Sequence, residues 1–241
     1  MSTRQQMWTL IKFELQHSKL HLLLLGGIFI LICYIVIPSF AMQLEGISNF
    51  FMLDMIFIFY FFIAVTLTRP KVYRHQKLNH SVWASHFLVQ LQHLPIAKHV
   101  LIFYRMVAYF IILLPFYMTF LVTLYITTPT LQQLISIGTY AVFSFMWLAI
   151  NFLLLSLQTI TDFGTHIVQQ ILLIIFVIFP LTMIFVSIFY NVYEASIVYF
   201  TMWLANNYPF WSMCLLILLT WLGIYGCVKR IKRKTETIDY L

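Results

Sequence analysis

Six long apolar runs constrain this chain more than any other feature of its sequence. A helix needs about 20 mostly apolar residues to cross the hydrocarbon core of a bilayer, and every run has about that length or more. Residues 56–63 do not alternate polar and apolar side chains, which favours helices over the strands of a membrane barrel. The runs predict an all-α membrane protein with one transmembrane domain, residues 1–241, and six transmembrane helices. These cover residues 20–42, 47–67, 102–126, 132–158, 166–190 and 209–228.

The composition excludes a water-soluble globule. Hydrophobic residues make up 62% of the chain and charged residues only 9%, whereas about a quarter of the residues of a soluble domain are charged. The segment before residue 20 is long and polar for the start of a cleavable signal peptide, and the first apolar run is too long for its core. We therefore expect the first span to remain as an anchor.

The positions of the basic residues predict the orientation in the membrane. All 14 Lys and Arg residues lie before span 1, between spans 2 and 3, or after span 6. The positive-inside rule then places both termini in the cytoplasm. The net charge of +7 indicates anionic lipid headgroups as a partner, and no motif indicates nucleic acid. The three groups are Arg4, Lys12 and Lys19; Arg69, Lys71, Arg74, Lys77, Lys98 and Arg105; and Lys229, Arg230, Lys232, Arg233 and Lys234.

The segment ahead of span 1 predicts an N-terminal interfacial helix. Trp8, Ile11 and Leu15 share one helical face, while Lys12 and Glu14 are polar. We expect this helix to enter span 1 through an elbow at residues 18–21.

The segment between spans 2 and 3 predicts a short amphipathic helix over residues 82–94, which Pro95 ends because the residue before a proline avoids helical angles. Two interpretations fit. The helix lies on the lipid surface, or its apolar face docks into a groove of a partner protein. The apolar stripe is Trp83, Phe87, Leu91 and Leu94, and the neighbouring polar stripe is His86, Gln90 and His93.

The segment between spans 5 and 6, residues 190–208, is apolar and aromatic but too short to cross the membrane and return. Tyr199, Trp203 and Tyr208 are residue types that favour the headgroup level. A short helix that lies at or dips into the outer interface fits this segment, and so does an ordinary aromatic loop.

No set of residues in the sequence predicts catalysis or metal binding. The chain contains no GxSxG, HExxH or paired carboxylates at helical spacing, and no GxxxxGK[ST] loop for ATP. The eight histidines have irregular spacings without nearby acids, and the three cysteines lie inside apolar runs. We therefore predict no catalytic residues, no metal site and no cofactor.

A few polar residues and glycines within or beside the spans carry further predictions. Asp54 is the one acid that the sequence places inside a span, where acids usually face a bundle interior or a cavity; alternatively, it reaches the outer water. Asp162 and His166, at the turn between spans 4 and 5, either pair locally or touch a partner. Gly223 and Gly226 are expected to allow close helix packing.

Together these features resemble an ABC-2 type exporter permease. Residues 10–15 read Leu-Ile-Lys-Phe-Glu-Leu, which is similar to the family's L-x-K-x-E-[LF] start. Residues 91–98 read Leu-Gln-His-Leu-Pro-Ile-Ala-Lys and precede Arg105, which resembles the family's L-x-[ST]-L-P-[IV]-[ST]-[RK]…K segment. His93 and Ala97 stand where the family usually has small hydroxyl residues. The resemblance covers nearly the whole chain.

The resemblance implies a permease, not itself an enzyme, that works with a separate cytoplasmic ABC ATPase and with a second permease copy or paralogue. The implied substrate is an amphipathic or hydrophobic peptide, bacteriocin or drug, exported across the bacterial cell membrane. The alternatives are an accessory membrane protein without transport activity and an intramembrane enzyme.

The segment between spans 2 and 3 would be the cytoplasmic coupling helix that meets the ATPase through Trp83, His86, Phe87, Gln90, Leu91 and Pro95. Spans 1, 2 and 5 would form the pathway, with Ser39, Gln43, Asp54, Tyr60 and Thr182 as polar contacts.

Overall fold

The computed structural model describes residues 3–44, 54, 57–58, 75–79, 82–94, 96–164, 179–193 and 196–237. These residues are almost entirely helical, as expected for an all-α membrane protein, with one small hairpin as the exception. The elements in chain order are α1 (Thr3–His17), α2 (Lys19–Leu44), β1 (His75–Asn79), β2 (Val82–Ser85), α3 (His86–Gln92), α4 (Lys98–Thr127), α5 (Pro129–Leu134), α6 (Ile137–Asp162), α7 (Phe179–Tyr193), α8 (Ile197–Asn207) and α9 (Pro209–Thr237).

Four helices within the described ranges are long and apolar enough to cross a membrane: α2, α4, α6 and most of α9. They coincide with the predicted spans 1, 3, 4 and 6 and are consistent with a membrane protein. The fourth span starts later than expected because α5 and a break intervene, and the Ser136 Oγ then accepts a hydrogen bond from the Thr139 N–H (3.2 Å) to cap α6. Most of predicted span 2, and span 5 before α7, lie outside the described residues, so six spans remain a prediction.

The helices α4 and α6 form the centre of the structure. In their most apolar stretches 39% and 44% of the residues are buried, against 17% for α2 and 11% for α9. A large apolar cluster joins the middle of α4 and α6 to α2 and α8. A second apolar cluster joins α1, α3, the start of α4, the end of α6 and the last turns of α9.

The close contact between α6 and α9 depends on a glycine. A Cβ atom built at Gly223 would lie 2.1 Å from the Leu153 Cδ1 atom, whereas one at Gly226 meets nothing within 4 Å. Close packing is therefore confirmed at Gly223, whereas no described residue packs against Gly226.

Gly223→Ala is expected to lower the free energy of unfolding by about 1 kcal/mol, because the Leu153 side chain must move out of its position. Unfolding of the purified protein in mixed micelles with increasing SDS measures this loss. Gly226→Ala is the matched control and should not destabilise the protein. Adding Leu153→Ala should remove the penalty of the new methyl group, and an unchanged penalty would contradict the packing explanation.

The predicted elbow before span 1 is confirmed. Only Ser18 separates α1 from α2. Its hydroxyl donates to the Glu14 carbonyl oxygen (2.6 Å), and its own carbonyl accepts from the Leu22 N–H (2.9 Å). The side chain of Ser18 is therefore buried in the turn between the two helices.

The predicted helix over residues 82–94 is wrong in its first part. Residues 82–85 form β2, which pairs antiparallel with β1 so that Trp83 lies opposite Lys77. Val and Trp suit a strand, and pairing with β1 supplies backbone hydrogen bonds that the apolar stripe could not reveal. Helix α3 begins only at His86 and ends at Gln92, ahead of Pro95, which lies outside the described residues.

The predicted short helix between spans 5 and 6 is confirmed as α8. Its buried face, with Val198, Met202 and Ala205, joins the large apolar cluster. The Trp147 Nε1–H of α6 donates to the Thr201 Oγ1 (3.0 Å). The depth of α8 in a membrane remains a prediction.

Candidate functional site

Two chain segments that carry basic residues, the start of α4 and the end of α9, meet the end of α6 at one end of the helices, which we call the basic end. The Lys98 Nζ donates to the Thr235 carbonyl oxygen (3.3 Å), and the Lys234 Nζ donates to the Gly164 carbonyl oxygen (2.8 Å). These bonds bring the start of α4, the end of α6 and the end of α9 together. The predicted grouping of basic segments is confirmed for this part of the chain, while the side of the membrane they face remains a prediction.

A buried cluster of charged and phenolic side chains lies at this end and is the candidate functional site. We call Glu14, Tyr104, Arg105, Tyr109 and Asp162 the charge cluster. Both acids and the arginine are at most 1% exposed. Glu14 belongs to α1, Arg105 to α4 and Asp162 to α6. In the sequence Glu14 lies 91 positions from Arg105, and Asp162 lies 57 positions from it.

The arginine of the charge cluster uses all three of its nitrogen atoms. Its Nη1 donates to the Glu14 Oε1, its Nε donates to the Asp162 Oδ2 (2.7 Å), and its Nη2 donates to the Tyr109 hydroxyl oxygen (2.8 Å). The Tyr109 hydroxyl donates in turn to the Asp162 Oδ2 (2.7 Å), and the Tyr104 hydroxyl donates to the Glu14 Oε2 (2.6 Å). Charge-assisted bonds of this kind offset part of the cost of removing ions from water.

Local helical spacing explains how each member reaches the charge cluster. Ile11 and Glu14, three residues apart, form the buried side of α1, and Ser18 continues this spacing just after the helix. Arg105 and Tyr109 are four residues apart on α4, so both side chains reach the same acid. Asp162 is the last residue of α6, after which Gly164 has a φ of 113° that favours glycine.

The charge cluster corrects several expectations. Glu14, which the sequence marked only as a polar residue of α1, is buried, while Trp8, expected beside Ile11 on one face of α1, is 48% exposed. Leu15 is partly buried. Arg105, which the sequence analysis grouped with the loop charges, lies two turns inside α4 and is buried.

Asp162 pairs with an arginine from a distant part of the chain, although the sequence suggested either a local pair or contact with a partner. His166 lies outside the described residues. The sequence offered two signals. Glu14 follows Ile11 at helical spacing in α1, and Arg105 precedes an apolar run in α4. Neither signal identifies which residues pair.

The residues predicted to contact an ATPase are mostly turned toward the protein itself. Leu91 is buried, Phe87 is partly buried and stacks on Phe13 with ring centroids 5.6 Å apart, and Trp83 is partly buried in β2. Gln90 is exposed. The side chain of His86 and the whole of Pro95 fall outside the description.

Asp54 is bound to the start of α8. Its Oδ2 accepts from the Ile197 N–H (2.8 Å), and its Oδ1 accepts from the Val198 N–H (3.0 Å). Because the residue is 1% exposed, the interpretation in which it reaches outer water is wrong for this structure. A carboxylate at a helix start satisfies N–H groups that have no partner within the helix.

The other predicted pathway residues are only partly described. The Ser39 hydroxyl donates to the Ile35 carbonyl oxygen (2.7 Å) within α2. The Gln43 side chain is buried, and neither of its polar atoms has a hydrogen-bond partner among the residues that the structure describes. Thr182 lies on α7, and Tyr60 is outside the described residues. The rings of Phe40 and Phe57, 6.5 Å apart, bring this part of α2 beside the segment that carries Asp54.

Within the described ranges, no group of three or more His, Cys, Asp or Glu side chains is arranged to hold a metal ion. Cys33, Cys214 and Cys227 are free thiols. Comparisons of the chain with protein-family models, with curated proteins and with solved structures found no match.

Proposed function

We propose that this chain is the transmembrane subunit of an ATP-driven ABC exporter. It moves an amphipathic or hydrophobic substrate, such as a peptide, a bacteriocin or a drug, across the bacterial cell membrane. A separate cytoplasmic ATPase supplies the energy, and a second permease copy or paralogue completes the transporter. The proposal rests on the sequence resemblance and on the membrane-spanning helices.

One structural observation carries most of the support. The two sequence segments on which the resemblance rests fold into α1 and into α3 with the start of α4, and these elements pack together. Phe13 of α1 stacks on Phe87 of α3, and Ile11, Leu88 and Leu91 belong to one apolar cluster with the start of α4. A force applied to α3 by a partner therefore acts on α1 and α4 directly.

The exposed residues at the end of α3 define the surface proposed for the ATPase. Leu88 and Leu91 face inward, while His93 and Leu94 in the turn after α3 are exposed. Contact with a partner therefore involves His93 and Leu94, with Gln90 beside them, rather than the buried apolar stripe. The basic end faces the cytoplasm in this proposal, and exposed cations there, such as Lys12 and Lys229, contact anionic lipid headgroups.

Co-purification from the native host tests the proposal. The tagged chain, extracted in mild detergent, is expected to carry a protein that contains a GxxxxGK[ST] loop, and the complex is expected to hydrolyse ATP. His93→Glu combined with Leu94→Ser should reduce the recovery of that protein by about tenfold or more, because residues central to an interface often contribute 2 kcal/mol or more.

Leu134→Ser is the matched control for this experiment. Leu134 is 53% exposed and Leu94 is 51% exposed, but Leu134 lies in α5, between the other ends of α4 and α6. The control should leave recovery unchanged. If no P-loop protein accompanies the chain, an accessory membrane protein becomes the better explanation, and ATPase recovery that is unaffected by the α3 variant would contradict the proposed surface.

A further inference from the structure

The guanidinium of Arg105 is shared by two helices, α1 and α6. Glu14 of α1 binds its Nη1, and Asp162 of α6 binds its Nε. A guanidinium is planar and holds its donors in a fixed fork. Rotating the guanidinium toward or away from one acid therefore also changes the length and angle of its hydrogen bond to the other acid.

The attachment of α1 makes this sharing consequential. A single residue, Ser18, joins α1 to α2, so the turn gives α1 a point about which it can swing. Both carboxylate oxygens of Glu14 bind side chains of α4, namely Arg105 and Tyr104. The position of α1 therefore depends on the same arginine that holds the end of α6.

We propose that the charge cluster is a conformational linkage between α1 and the end of α6, with Arg105 as its shared element. When α1 moves away, the guanidinium loses one partner and its hold on Asp162 weakens. When the end of α6 moves, the hold on Glu14 weakens in the same way. Coupling of two sites through one equilibrium is reciprocal. The linkage does not depend on the proposed transport function.

Cysteine accessibility measured across the charge cluster tests the linkage. In a background in which the three native cysteines are replaced by alanine, Ile11→Cys reports on α1 and Thr159→Cys reports on the end of α6. Ile11 is 1% exposed, and Thr159 is fully buried three residues before Asp162. The rate of labelling by N-ethylmaleimide in native membranes measures how often each site opens.

The expected result is reciprocal. Glu14→Gln should raise labelling at Thr159→Cys, and Asp162→Asn should raise labelling at Ile11→Cys, each by about 5- to 150-fold, the usual range for coupled sites. Lys234→Gln is the control. It removes the bond from Lys234 to the Gly164 carbonyl beside the end of α6, and should leave labelling at Ile11→Cys within about twofold.

Two static ion pairs would give a different result. In that case each acid variant raises labelling only on its own helix, and this outcome, or no increase at either site, overturns the linkage. If an acid variant does not fold, as judged by gel filtration, Tyr104→Phe and Tyr109→Phe replace it. Each removes one hydrogen bond to one acid without changing the charge, and Tyr109→Phe also removes the acceptor of the Arg105 Nη2. The same reciprocal pattern is required of them.

Discussion

Arg105→Met is expected to lower the free energy of unfolding by about 3–5 kcal/mol, because it leaves two buried carboxylates without their cation. Methionine keeps much of the length of the side chain, so the loss reflects charge more than volume. Unfolding of the purified protein in mixed micelles with increasing SDS measures the change. Arg230→Met, at an exposed position of α9, is the matched control and should change stability by less than about 0.5 kcal/mol.

A rescue experiment separates the charge effect from a general packing defect. Adding Glu14→Gln and Asp162→Asn to Arg105→Met removes both stranded charges, and neutral replacement of a whole buried ion cluster is often tolerated. We therefore expect the triple variant to recover most of the lost stability. A triple variant as unstable as Arg105→Met would show that the charges are not the source of the loss.

Asp54→Ala should give the second largest effect, a loss of about 1–3 kcal/mol, because it removes the acceptor of two buried backbone N–H groups at the start of α8. The same unfolding measurement applies. Asp54→Asn keeps one acceptor oxygen and should lose less. Ser39→Ala removes only a bond within α2 and serves as the control.

The role of Asp54 in a transport pathway remains a separate prediction. If Asp54 contacts substrate, Asp54→Asn weakens export of a cationic substrate far more than export of a neutral one, with assembly unchanged. If its main role is to hold α8, both substrates are exported less and less protein assembles. The two hydrogen bonds to α8 make the second result our expectation.

Local patterns were sufficient to predict much of the fold. The spans that became α2, α4, α6 and α9 follow from apolar length alone, which is a property of each segment by itself. The elbow at Ser18 and the short helix α8 also follow from local changes between polar and apolar residues. The ends of the helices were harder to predict. The start of α6, for example, depends on capping by the single hydroxyl of Ser136 rather than on the apolar pattern.

Contacts between distant residues account for what the sequence did not predict. The partners of Arg105 lie 91 and 57 positions away, and the α8 N–H groups that bind Asp54 lie 143 and 144 positions away. No helical spacing encodes such pairs. The strand at residues 82–85 depends in the same way on β1, because an apolar stripe that fits a helix also fits a strand whose partner is unknown.

The order of the charge cluster along the chain bears on how the protein is made. Glu14 leaves the ribosome before Arg105, so the arginine enters the membrane environment when its first acid is already present. Asp162 follows 57 residues later, which at ordinary rates of protein synthesis is about 3–11 s. During that interval Glu14 is the acid of the cluster that has already been synthesised, and its partners Tyr104 and Arg105 both lie on α4. Glu14 is thus the acid of the cluster that is synthesised before Arg105, and Asp162 is the acid that is synthesised after it.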